Sequence, residues 1–178
     1  MSMRQFELLC DDFAALLSHP QQDHQLLLDK VLGSISNRKC LKALRMYQKE
    51  IAGLTPEDLQ DLYTRTFDLT PLCSPALSVH LFGVESFKRS HLMVGLLDMY
   101  RQGNYPAAGE TADHMSTVLG FLSYTSPEER SEIARFILLP ALKKMTEFLE
   151  SKSNLYAYLL SATSALVVAE TGKEATYA

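Results

Sequence analysis

Apolar side chains along this chain recur in steps of three and four. Phe6, Leu9, Cys10, Phe13, Leu16 and Leu17 set the pattern, which is that of a helix burying one face. The spacing returns in Leu41, Leu44, Tyr47 and Ile51, in Leu92, Met93, Leu96, Leu97 and Tyr100, and in Met115, Val118, Leu119 and Leu122. No stretch of strand length alternates apolar with polar residues and is enriched in β-branched ones. The chain therefore reads as all-α: a single-domain bundle of about eight to ten helices over residues 1–170, with 171–178 a frayed tail.

Punctuation divides the pattern into elements. The first helix stops near Ser18-His19-Pro20, because the residue before a proline is pushed out of the helical region. A second runs over Gln22–Ile35 and a third over Lys39–Ala52, ended by Gly53. Thr55-Pro56-Glu57-Asp58 combines an N-cap, a proline at the first helical position and first-turn acids, and Ser126-Pro127-Glu128-Glu129 repeats that signature with Glu129 at the capping-box position. Between them, Pro71 and Pro75 break the chain before a short helix, Ser74–Phe82, and Gly83 is placed as a left-handed cap. The next helix spans Ser86–Gln102. Pro140 interrupts a helical pattern and predicts a kink or break between Leu139 and Ala141. The last helix, Asn154–Glu170, is apolar on most sides and should lie centrally.

Composition removes several function classes. With 178 residues, 47% of them hydrophobic, the chain can bury roughly 70% of its unfolded surface in one core. Its formal charge of -4 comes without a dense cluster of bases, so nucleic acid is excluded as a partner. Cys10, Cys40 and Cys73 are odd in number and widely spaced, which points to neither a disulfide framework nor a zinc site and suits a reducing compartment. Glu7, Asp11 and Asp12 lie where a signal peptide needs its apolar segment, so a cytoplasmic protein is expected. The apolar run Leu155–Ala169 is short of the ~20 residues a bilayer requires, and no direct membrane insertion is expected.

Chemistry-bearing residues gather between Leu59 and Leu122. No glycine loop there cradles phosphate, and His19, His24, His80, His91 and His114 include no i, i+4 pair, so neither nucleotide hydrolysis nor a metal centre is expected. Cys73 precedes a short helix whose dipole could activate it; packing is the commoner role. Tyr63 and Phe67, one turn apart, suit a core and also the wall of a groove. Asp68, at a helix C-terminus, opposes the dipole and needs a donor such as a loop amide or Arg89. His80 on its short apolar helix suits a hydrogen-bonded core histidine. Glu110, Asp113 and His114 stand where a loop becomes a helix, with Thr111 a candidate N-cap. They read either as cap and dipole partners or as an acidic rim that would receive a basic amphipathic peptide.

The stretches Leu59 to Leu69 with Tyr63, Phe67 and Asp68, His80-Leu-Phe-Gly83-Val-Glu85-Ser86-Phe-Lys-Arg89, Met93 to Tyr100, Glu110-Thr-Ala-Asp113-His114 and Leu119-Gly-Phe121-Leu122 together resemble the delta subunit of respiratory nitrate reductase. This is the NarJ-type assembly chaperone, within the TorD/DmsD group of redox-enzyme maturation proteins. Thr111-Ala112 departs from the proline-containing form of the acidic motif, and Ser90 stands where glycine is frequent. The resemblance implies an all-helical, non-enzymatic chaperone that binds the N-terminal segment of a molybdoenzyme catalytic subunit. It would hold that segment for molybdenum cofactor insertion before membrane docking or export, bind no cofactor stably itself, and act as a monomer or weak dimer. The peptide site it implies comprises Tyr63, Phe67, Asp68, His80, Arg89, Tyr100, Glu110, Asp113 and His114. Two other classes stay open: a metal-assisted hydrolase using Asp113 and His114, and a helical adaptor with an unrelated partner.

Overall fold

A computed structural model describes residues 3–107 and 109–172. Ten α-helices follow one another in the described chain: α1 (Met3–Leu16), α2 (His24–Ser34), α3 (Arg38–Ile51), α4 (Pro56–Phe67), α5 (Leu77–Phe82), α6 (Lys88–Gln102), α7 (Met115–Phe121), α8 (Pro127–Ile133), α9 (Leu139–Ser151) and α10 (Tyr156–Thr171). A 3-10 turn follows α7 and a π-helical turn, Ala134–Leu138, joins α8 to α9. No strand forms among the described residues; one antiparallel bridge links Ala76 to His114. The expected tail lies mostly outside the described residues.

Helix α10 is the axis of the bundle and packs against α3 and α9. Its apolar residues face all sides, and Tyr156, Leu159, Leu160, Leu166 and Val167 are all buried. Thr163 is buried with them, and its hydroxyl donates to the Leu159 carbonyl, 2.8 Å away, so that hydroxyl is not left without a partner. On the opposite side α1 packs on α7, and α2 bridges α1 to α3. The short α5 lies against α9 and α6, and α6 takes most of its support from α5.

Both capping signatures form. Thr55 Oγ1 accepts from the Asp58 amide while Asp58 accepts from the Thr55 amide, both at 3.1 Å, and Ser126 with Glu129 repeats the exchange. Four starts are later than the spacing predicts, the last helix among them, at Tyr156 instead of Asn154. Residues 74–76 are drawn into the bridge, so α5 begins at Leu77. The second helix begins at His24 and the sixth at Lys88. At Pro140, where a kink or break is expected, the chain stays helical and is preceded by the π turn, in which the Leu139 amide reaches back to the Ala134 carbonyl. One extra residue per turn makes room for the pyrrolidine ring and absorbs the missing N–H without ending the helix.

One cation of the core carries no signal in the spacing. Arg130 is buried, donates to the Leu122 and Thr125 carbonyls at 3.1 and 3.2 Å, pairs with Glu170 at 3.3 Å and covers the Phe6 ring. It closes the carbonyl end of α7 and its 3-10 turn, satisfying groups a helix terminus leaves open.

Candidate functional site

Helix α4 ends where its aromatic face enters the core. Tyr63 and Phe67 are 4% and 3% exposed and pack on Tyr156 of α10, with ring centroids 5.9 and 5.0 Å away. They do not wall an open groove. The rings are one turn apart, and α10 supplies an aromatic surface that fills the space between them. Burial raises the Tyr63 hydroxyl pKa, and the carboxylates of Glu110 and Asp68 raise it further. Those two acids, 42 positions apart in the chain, both lie near enough to act on the Tyr63 hydroxyl.

Asp68 itself is exposed, and its Oδ1 accepts from the Leu69 amide at 2.7 Å. The donor is a loop amide; Arg89 is engaged elsewhere. Leu69 takes a left-handed backbone, φ +50°, and is 84% exposed. A branched apolar side chain is thus held out into water in an unfavourable conformation beside the Asp68 carboxylate.

The loop residues 109–114 lead into α7. Tyr100 of α6 is buried, donates to the Ala112 carbonyl at 2.6 Å and stacks edge-on against Phe121, so it anchors the loop and is not a groove wall. His114, 3% exposed, caps α7 in place of Thr111: its Nδ1 accepts from the Ser116 amide at 3.3 Å and lies 2.7 Å from the Ser116 hydroxyl. With Nδ1 accepting, the ring proton sits on Nε2, 3.9 Å from the half-exposed Glu110 carboxylate. Burial lowers the His114 pKa, and Glu110 and Asp113 only partly oppose this.

Asp113 is engaged by another element. Its side chain, 1% exposed, accepts from the Ser78 hydroxyl of α5. Asp113 and His114 serve different partners and do not form an acid–base dyad. Arg89 donates through Nε to Ser78 Oγ at 2.9 Å and through Nη1 to the Val84 carbonyl at 2.7 Å. Past that contact the chain exposes Val84 (69%) and Phe87 (88%) beside an open cleft of about 330 Å³ that Met93 also lines.

His80 is half-buried, 2.8 Å from the Ser74 carbonyl and 4.0 Å from the Cys73 sulfur. Burial lowers its pKa, and Cys73 is pushed up to about 12 by its own burial, so this thiol is not activated by the helix behind it. Among the described residues no three His, Cys, Asp or Glu side chains gather to hold a metal. No described helix is long and apolar enough to cross a membrane.

The nine residues singled out in the sequence thus divide. Asp68 and Glu110 are exposed, Arg89 and His80 are intermediate, and Tyr63, Phe67, Tyr100, Asp113 and His114 form the support beneath. Leu69, Ser78, Val84 and Phe87 were missed. Ser78 had a readable signal, as a lone hydroxyl in the apolar run Leu77 to Phe82, which demands a buried partner. Leu69 had none.

A search of curated proteins finds no match to this chain. Its fold is similar to that of a crystal structure described as a redox enzyme maturation protein from Archaeoglobus fulgidus, at 24% identity and a TM-score of 0.61, covering 89% of this chain and 91% of that one. Residues 35–161 match the family model described as nitrate reductase delta subunit, a span that takes in α3 to α9, both carboxylates and the Arg89–Ser78–Asp113 contacts. The chain belongs to the nitrate reductase delta subunit family.

Proposed function

We propose that this protein is a redox-enzyme maturation chaperone that binds the N-terminal segment of a molybdoenzyme catalytic subunit. It holds the segment while the client receives its molybdenum cofactor, which stays the client's own. The receiving surface is bounded by Asp68 and Glu110 at one end and Arg89 at the other, with Leu69, Val84 and Phe87 as apolar contacts. The observation that carries this reading is a strained, 84% exposed Leu69 held against the Asp68 carboxylate, with Val84 and Phe87 also exposed beside an open cleft. Exposed apolar residues flanked by like charges suit an amphipathic segment of opposite charge, here a basic one. Membership of the delta subunit family supports the class of client. Chemistry on a substrate is not part of the reading: Asp113 is committed to Ser78, and His114 is buried as a helix cap.

The test is calorimetry with synthetic peptides covering the N-termini of molybdoenzyme catalytic subunits from the same organism. Asp68→Ala combined with Glu110→Ala should weaken the best peptide by about tenfold, the range expected when two rim charges are lost, with helical content unchanged. Undiminished affinity of the double variant removes these acids from the site.

A further inference from the structure

The turn between α5 and α6 presents Val84 and Phe87, two of the three exposed apolar side chains of the proposed surface, and the Arg89 side chain ties it to the body. It opens at Gly83, whose φ of +83° suits glycine and strains any residue with a Cβ. Arg89 then reaches back, giving one N–H to the Val84 carbonyl at 2.7 Å and another to Ser78 Oγ at 2.9 Å. A guanidinium only donates, so the one proton of Ser78 goes to Asp113. Ser78 and Asp113 are 0% and 1% exposed, and the Asp113 carbonyl also takes the Leu77 amide at 2.8 Å. The inner end of this relay is therefore anchored, and it belongs to the same segment that carries Glu110 and His114.

We infer that Arg89 is a positioning residue that clamps the Val84–Phe87 turn, through Ser78 and Asp113, to the Glu110–His114 segment, so that both ends of the client surface stay at a fixed separation. The inference rests on the client-binding reading above. The alternative role for Arg89 is that of a rim charge touching the client directly. Lysine separates the two, because it keeps the charge but offers one nitrogen on a flexible stem where the clamp uses two nitrogens in a rigid plane.

Hydrogen exchange of the full chain, read by mass spectrometry, measures the clamp, and calorimetry with the peptide that binds the natural chain measures its consequence. In Arg89→Lys and Ser78→Ala, amides of residues 83–88 should exchange about tenfold faster or more while those of α10 keep their protection, since only a local opening is released. Peptide affinity should fall by about fivefold or more in both, as a loosened surface is reordered on binding. Lys88→Ala removes a neighbouring exposed cation outside the relay and should change neither. Unaltered exchange at 83–88 in Arg89→Lys overturns the clamp, whatever the affinity does. Faster exchange with affinity unchanged overturns the functional half of the inference and removes the Val84–Phe87 turn from the client surface. A natural chain that binds no such peptide defeats the client reading instead and leaves the exchange result to decide the clamp.

Discussion

Leu69 shows how little of a binding surface local sequence can specify. Its positive φ follows from the turn that brings the Leu72 and Cys73 amides back to the Arg65 and Thr66 carbonyls at 3.3 and 2.9 Å, closing the end of α4. A leucine there costs roughly 1–2 kcal/mol, against about 0.5–1 kcal/mol for the extra chain entropy of a glycine. Leu69→Gly should therefore raise stability to urea by about 0.5–1 kcal/mol while weakening the client peptide; a loss of stability would show that the leucine is offset by contacts in the free protein. Asp68 beside it was readable, because an acid at a helix C-terminus must find a donor. Tyr63 and Phe67 were readable only as core or wall, since the ring that decides between these, Tyr156, lies about 90 positions away in the chain.

The elements that carry the site depend on α7 and the loop before it. All seven residues of α7 are buried, and Gly120 sits where an added Cβ would lie 2.6 Å from the Tyr105 hydroxyl and 3.7 Å from Ala14 of α1. Tyr105 is in turn packed edge-on against Tyr100 and Tyr124, at 5.2 and 5.0 Å. Gly120→Ala should displace that ring, cost about 1–3 kcal/mol as overpacking does, and loosen the loop that presents Glu110. Urea titration gives the first effect, and faster amide exchange over residues 109–114 the second. If the loop keeps its protection, Tyr105 is not what holds it. The π turn ahead of Pro140 is a related case: the proline predicted a disturbance, but its form depended on what packs around residues 134–138, where α5 and α8 both make contact.

For the whole molecule, buried neutral histidines make stability depend on pH. Burial pushes His24 down to about 4, with its Nε2 3.0 Å from the Tyr47 hydroxyl, and lowers His114 in its capping role. The unfolded chain takes protons on these rings near the ordinary value of about 6.5, before the folded chain does. Their contribution is therefore complete above that value and is lost as pH falls through the window toward 4. The urea midpoint should drop between about pH 7.5 and pH 5, and His24→Gln should flatten the decline. An equally steep profile in that variant would place the titrating group elsewhere. The distribution of apolar residues along the chain determined the helical class and the central place of α10, and local cap residues determined the two capped starts, because burying one face of a helix and closing its first turn both depend on spacing that a linear chain already contains. Tertiary structure alone decided which of the nine site residues reach water, that Asp113 and His114 turn to different partners, and that Arg89 is bound to Ser78. Each of those outcomes depends on contacts between elements far apart in sequence, and only the closed bundle brings their polar groups within hydrogen-bonding distance of one another.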